Sequence, residues 1–243
     1  MRHKDGTWRI LESVATAIPS EEGHTEKLVI VNRDTTERKR AEDMLARNAL
    51  HDTLTNLPNR TLFLDRVRHA LALSQRHQSY RFAVLFIDLD EFKIFNDSLG
   101  RAAGDSLLIQ IARRLAVSIR AVDMISRPAP MQSDSTFVSE ESLARLGGDE
   151  FTILLEEIRD CGDAIRVSER IQERLAVPFV VEGHEVVTTT SIGIAFCGTS
   201  YTNPEDLVRD AEIAMYRAKP ACCCAKPAYN FAHGTFNFLA IRR

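Results

Sequence analysis

Long apolar runs are missing from this chain. None approaches the roughly 20 residues that a membrane-crossing helix needs, and the N-terminal stretch MRHKDGTWRI holds no apolar core of a signal peptide. The sequence therefore reads as cytoplasmic, with no membrane segment. An excess of positive charge is missing too. The 31 lysines and arginines are outnumbered by 34 aspartates and glutamates, for a net charge of -3, and a grip on a nucleic-acid backbone takes clustered basic residues instead. No nucleic-acid partner is expected, whereas a small anionic ligand stays open if metal ions carry the positive charge. Paired cysteines are absent as well. The five are Cys161, Cys197 and the run Cys222, Cys223 and Cys224. No Cys-x-x-Cys spacing or nearby histidine pattern completes a tetrahedral zinc site, so they read as reduced thiols without a role.

What is present suits an ordinary globular protein: 44% apolar and 27% charged residues in a chain of 243, enough for one full domain and a partial one. Residues 1–36 read as the end of a β-rich unit, DGTWRILESVATAI and KLVIVNRD around a turn at Glu22-Gly23. Two or three strands cannot form an independent core. RHKDGTWR together with VNRDTTERKRAEDML resembles the C-terminal end of a PAS domain and its exit helix. Residues 37–50 are a charged helical linker free of glycine and proline, with Met44 and Leu45 among its few large apolar side chains. If two chains pair, that sparse apolar side is where they would touch.

Beyond residue 51 helical and strand signals intermix. Leu62, Phe63, Val67, Ala70 and Leu71 recur at helical spacing. RFAVLFIDLD is a continuous apolar run with the character of a fully buried strand, ending in Asp88 and Asp90. A helix through Leu108, Ile111, Leu115 and Ile119, a strand at FTILLEE and an amphipathic helix over residues 163–176 follow. PFVVEGHEVVTTTSIGIAF reads as a hairpin turning at Glu182-Gly183-His184. The last clear helix has Asn203 as cap and Pro204 at its first position and buries Leu207, Ala211, Met215 and Ala218. The fold class expected is α/β of the α+β kind, a mostly antiparallel sheet flanked by helices.

Two strand ends carry the chemistry. Asp88 closes one buried strand, and in RLGGDEF the pair Gly147-Gly148 stands directly before Asp149 and Glu150, where the next strand opens. If those strands are neighbours, the carboxylates meet at one sheet edge. Oxygen ligands that leave room for water and phosphate suit Mg²⁺, which rarely takes an all-protein cage, and such ions can activate a hydroxyl and neutralise a leaving pyrophosphate. The glycines would allow positive φ and let a nucleotide approach the backbone.

RLGGDEF is also the signature of GGDEF diguanylate cyclases, which the chain resembles from about Asn48 to Lys219. HDTLTNLPNR, FIDLDEFKIFNDSLGRAAGD, TTTSIGIAF and DAEIAMYRAK match further family segments in the family's order. The resemblance implies a nucleotidyl cyclase and palm-like fold for residues 51–219. It implies a signalling enzyme that condenses two GTP into cyclic di-GMP with release of two pyrophosphates, as a homodimer with one GTP per subunit and two Mg²⁺ or Mn²⁺ per active site. It implies Asp88, Asp149 and the Leu89 carbonyl as metal ligands, Glu150 as the group that activates the 3′-hydroxyl, with Asp149 sharing that work, and Asn96 and Asp105 as the guanine-reading pair. Phe92, Lys93, Gly147, Gly148 and Lys219 would complete the substrate site. Asp105 is equally placed to cap the helix that follows, and Lys219 to sit solvated near a helix C-terminus. In the entry loop Asp52 and Arg60 are expected to pair and fix the turn, and His51 reads as a loop residue, with no orienting partner near it in sequence.

The chain departs from the family pattern twice. RAVD, Arg120 to Asp123, matches an Arg-x-x-Asp site at which cyclic di-GMP inhibits, and an arginine fork suits its phosphates and guanine edges; a plain surface ion pair is the alternative. Residues 128–145, rich in proline and serine, then intervene as an inserted loop. At the other end, residues 220–243 form an atypical tail in which Cys223 stands where a phosphate-binding arginine is expected. That puts the last sheet edge in doubt and opens an alternative function: a catalytically impaired module that binds GTP or cyclic di-GMP and regulates through interactions.

Overall fold

In the computed structural model of the chain, residues 3–19, 25–77, 79–125, 142–197, 201–219 and 238–242 are described. The chain divides into two compact units, Met1–Ala49 and Leu50–Arg243. In the first, β1 (Leu11–Pro19) and β2 (Thr25–Asp34) pair antiparallel, Val14 opposite Val31. Val14, Leu28, Val29, Ile30 and Val31 are all exposed, so both faces of this ribbon stand bare within its unit. Thr36 opens helix α1 (Thr36–Leu50), its amide and hydroxyl both donating to the Asp34 carboxylate.

The second unit is built on one strand. β3 (Ala83–Leu89) is buried at every position, because its seven side chains are apolar save for Asp88 near the end. Such a run has no face to offer water, so it takes the middle of a sheet covered on both sides. The other strands are β4 (Leu143–Gly147), β5 (Glu150–Leu155), β8 (Thr190–Phe196) and β9 (Phe238–Arg242), in the order β4-β5-β3-β8-β9. Every pairing among the five is antiparallel. The strand β4 starts at Leu143, within the stretch expected as an inserted loop; the rest of that stretch lies outside the described residues save Ser142. The last sheet edge, in doubt from the sequence, is present: FLAIR in the tail pairs with β8 from Ser191 opposite Arg242 to Ala195 opposite Phe238.

Helices α4 (Arg101–Ile125) and α5 (Cys161–Leu175) cover one face, their Leu107, Ile111, Leu115, Val167 and Ile171 packing with Leu85, Ile87 and Ile153 of the sheet. Helices α2 (Arg60–Arg76) and α6 (Pro204–Ala218) cover the other, where Phe63, Val67, Leu207, Ala211 and Met215 meet Val84, Phe86 and Ala195. Short α3 (Phe92–Leu99) joins β3 to α4. The hairpin expected around Glu182-Gly183 forms between β6 (Phe179–Val181) and β7 (His184–Val186), but as a separate two-stranded sheet. Residues 187–189 separate β7 from β8, and Thr189 stays beside the end of β3: its carbonyl accepts from the Asp90 amide at 3.0 Å and its hydroxyl donates to the carboxylate at 2.6 Å. No helix among the described residues is long and apolar enough to cross a membrane.

Helix α6 presses onto β8 at Gly193. A Cβ there would lie 2.0 Å from the Ala211 carbonyl oxygen and 2.2 Å from the Met215 nitrogen, both backbone atoms that cannot step aside singly. Gly193→Ala should therefore lift α6 from the sheet and destabilise the domain by about 3 kcal/mol, the upper end for overpacking. Urea unfolding checks it, and an unchanged midpoint contradicts the close approach.

Candidate active site

The register brings the two strand ends together. Asp88 of β3 lies directly opposite Glu150, the first residue of β5, and on its other side opposite Ser191 of β8. Asp149 sits in the turn between β4 and β5, next to Glu150. Gly147 and Gly148 make that turn with φ of +150° and +51°, and a Cβ at either would meet nothing within 4 Å. Glycine is thus required there by conformation, while the space beside the turn stays open.

Asp88 is 5% exposed. Burial pushes its carboxyl above the usual range; the neighbouring charges of Asp149 and Asp90 push the same way, and Lys219 opposes them. The Lys219 amine, at the end of α6, lies 2.8 Å from Asp88 Oδ1. That is an ion pair at hydrogen-bonding distance, and beyond that ammonium the buried Oδ1 has no partner among the described residues. Glu150 is likewise raised, by burial first and then by Glu212, Asp88 and Asp149, against a lowering by Arg60. Three carboxylates held this close favour a cation among them. The donor set fits a divalent ion: one buried carboxylate oxygen is met by a lysine ammonium alone, and its neighbours are hard oxygens. Among the described residues no group of three or more His, Cys, Asp or Glu side chains is placed to hold a metal ion by itself, so water and a ligand would have to share the coordination. Leu89, the last residue of β3, is buried and aligned opposite Thr190. Asp90 lies just past the end of the strand and is already engaged: Thr189 and Ser191 each donate a hydroxyl to one of its oxygens, at 2.6 and 2.7 Å.

The other expected residues lie on α3 and α4. Phe92 opens α3 and stacks on Phe95, with ring centroids 6.3 Å apart; Lys93 is exposed on the same helix. Asn96 Oδ1 is buried without a hydrogen-bond partner. Asp105 is exposed and lies inside α4, which already starts at Arg101, so it is not the helix cap. Arg120 and Asp123 both fall on α4, three residues apart and hence on one face; their side chains lie outside the described residues.

Two features were not legible in advance. Glu212 and Arg60, from α6 and α2, act on Glu150 electrostatically. And Arg145, not Arg60, takes the Asp52 carboxylate: its Nη1 donates to Oδ1 at 2.8 Å and Oδ2 at 3.0 Å. The other edge of the same guanidinium, Nε and Nη2, donates to the Gly148 carbonyl at 3.1 and 2.7 Å. One planar cation therefore ties the glycine turn to the entry loop. The Arg145 amide adds a bond to the Pro58 carbonyl at 2.9 Å.

Residues 49–130 and 133–222 match the family model described as diguanylate cyclase, GGDEF domain. The chain is 41% identical over 180 residues to the bifunctional diguanylate cyclase/cyclic di-GMP phosphodiesterase MucR of Pseudomonas aeruginosa, covering 74% of this chain and 23% of MucR. It is 40% identical over 176 residues to diguanylate cyclase TpbB of the same organism, covering 72% of this chain and 36% of TpbB. The chain thus spans well under half the length of these relatives. A solved structure of the GGDEF domain of TpbB matches with a TM-score of 0.57 at 38% identity, covering 69% of this chain and 87% of that one.

Arg145 is buried and Asp52 keeps only a little contact with water, their side chains being 9% and 19% exposed. Arg145→Met should cost about 2 to 3 kcal/mol, the low end for breaking such a pair. Burial alone would raise the Asp52 carboxyl, but bonds from the Thr55 hydroxyl and amide, followed by Arg145, hold it below its ordinary value of 3.8. A depressed carboxylate lends stability above its unfolded pKa and loses it as pH falls through the folded one. The unfolding midpoints of wild type and variant should therefore differ most at pH 7 and draw closer as the pH drops below 3.8, the remainder being the bonds to the Gly148 carbonyl. A gap that stays constant into acid would show that the pair is not what Arg145 supplies.

Proposed function

Because this chain belongs to the family of GGDEF diguanylate cyclase domains, we propose that it condenses two GTP into cyclic di-GMP, with one GTP held by each subunit of a homodimer. The observation that carries this reading is the buried carboxylate of Asp88, met by the Lys219 ammonium alone, beside Asp149 and Glu150 and next to a glycine turn with open space above it. Asp88, Asp149 and the Leu89 carbonyl would hold divalent cations, Mg²⁺ or Mn²⁺ and two per site, which when bound supply positive charge against the triphosphate and make the 3′-hydroxyl more acidic.

The chain's own groups do the rest. Glu150, whose carboxyl burial and like charges hold above the usual range, is better matched to taking a proton near neutrality than an exposed glutamate. It removes the 3′-hydroxyl proton, the freed oxygen bonds to the α-phosphorus of the partner's GTP, and the bond to pyrophosphate breaks. The same exchange in the other direction closes the ring, for two bonds made, two broken and two pyrophosphates released. Asn96 and Asp105 read guanine, Asp105 accepting from the N1 and N2 donors that adenine lacks. Phe92, Lys93, Gly147, Gly148 and Lys219 complete the nucleotide site, Lys219 leaving Asp88 for phosphate. Arg120 and Asp123, one turn apart on α4, form an inhibitory site for the product. Residues 1–36 serve as the end of a PAS-like sensory unit in a cytoplasmic signalling protein, and residues 37–50 as its linker.

A second reading, a GTP-binding or cyclic di-GMP-binding regulator without turnover, draws on Cys223, which stands where the family resemblance expects a phosphate-binding arginine. The two separate in one assay. Protein, GTP and Mg²⁺ should yield cyclic di-GMP on chromatography; bound GTP with no product at high protein concentration leaves the regulator. Asp149→Ala should lower turnover at least about a hundredfold with the melting temperature kept, since a turn residue packs little. Asp105→Ala should narrow the preference for GTP over ATP, and an unaltered ratio removes Asp105 from base recognition.

A further inference from the structure

Helix α4 crosses α3 with nothing between them at Gly104. A Cβ built on Gly104 would lie 1.9 Å from Asn96 Oδ1, 3.0 Å from Asn96 Cγ and 3.3 Å from Phe92 Cζ. The oxygen in question is shielded from water and has no hydrogen-bond partner. Folded proteins rarely leave a buried acceptor unpaired, and those that do generally keep it so for a functional purpose. A carboxamide with its oxygen driven down against a bare Cα is fixed in depth and in rotation, because the only freedom left to it is to move outward. Nothing in the local helix asks for glycine: Gly104 is in a helix interior, where alanine is the better residue, and its φ is not among the positive ones. Its requirement is therefore set by Asn96.

We infer that Gly104 is a positioning residue for base selection: its missing side chain seats the Asn96 carboxamide one methyl group deeper than any other amino acid would permit, and that depth fixes where a guanine edge can dock. Asp105 is the next residue along the same helix, so the same backbone carries one base-reading group and sets the seat of the other. The inference rests on the assignment of Asn96 and Asp105 to guanine. A side chain at position 104 would push the carboxamide toward the base and disturb recognition of the purine while leaving the phosphate end of the site as it is.

The test uses the full chain and two nucleotides that cannot react, the α,β-methylene analogues of GTP and ATP, with binding followed by calorimetry. Gly104→Ala should weaken the guanosine analogue about tenfold, the equivalent of one well-placed hydrogen bond, and change the adenosine analogue less than about twofold. In an Asn96→Ala background, where the oxygen is gone, the same Gly104→Ala step should cost no further affinity. Melting temperatures give a second readout that survives poor folding of the single variant: Gly104→Ala should lower the midpoint clearly more when Asn96 is present than when Asn96 is alanine, where only the Phe92 ring contact and the helix preference remain. Equal losses for both nucleotides, additive losses in the double variant, or a midpoint shift of the same size in both backgrounds would each overturn the inference. Wild-type protein that binds the guanosine analogue no better than the adenosine one would overturn the guanine assignment itself, and with it the role of Gly104; a guanine preference retained in wild type and unchanged by Gly104→Ala overturns the role alone.

Discussion

The whole domain is arranged around a carboxylate at the end of a strand that water does not reach. Ala83 to Leu89 lie buried between two helical layers, and the apolar burial that holds those layers also carries Asp88 into a medium where an ionised carboxyl is expensive. The cost is partly offset by Lys219, delivered by α6 from the opposite side of the sheet's edge. Remaining unmet demand for positive charge is what makes this edge suited to cations. Hydrophobic packing and electrostatic purpose are thus two consequences of one strand: the former supplies rigidity, and the latter uses it.

Each neighbouring element contributes to the accuracy of that edge. The helix α6 lies close to β8 only because Gly193 offers no side chain, and its C-terminal lysine arrives beside Asp88 as a result. The glycine turn that carries Asp149 has two residues with little conformational restraint of their own, and Arg145 supplies restraint from outside by gripping the Gly148 carbonyl. The same guanidinium holds Asp52, itself bound by the Thr55 amide and hydroxyl. A turn that must be bare for a ligand to approach is in this way stiffened by a cation placed behind it.

Much of this was legible in the residues, and the parts that were not share a physical origin. An apolar run as dense as VLFI can only be a covered strand, Pro204 can stand at the start of a helix but not within it, and paired glycines before acids mark a tight turn. Those are local properties. The partner of Asp52 is not local: Arg60 is nearer in sequence, but tertiary packing brings Arg145 closer in space. The break between β7 and β8 leaves no mark in VVTTT, where every residue favours a strand; it follows from β7 pairing with β6 in a separate sheet while β8 pairs with β3. Asp105 could pass for the cap of the helix that follows, yet α4 already starts at Arg101, four residues earlier, directly after Gly100 with its φ of +87°. FLAIR in the tail shows the converse, since an apolar segment can complete a sheet even where the surrounding sequence departs from its family.

That completion has a consequence for how the molecule is made. The far edge of β8 is matched by residues 238–242, the last of this sheet's five described strands to emerge during synthesis. Until then a nascent chain carries a finished core with one row of amides and carbonyls still open, the condition in which strands from other molecules attach. Chains cut short anywhere between α6 and β9 would keep that row open permanently, and would be drawn toward pairing with one another however well their interiors were packed.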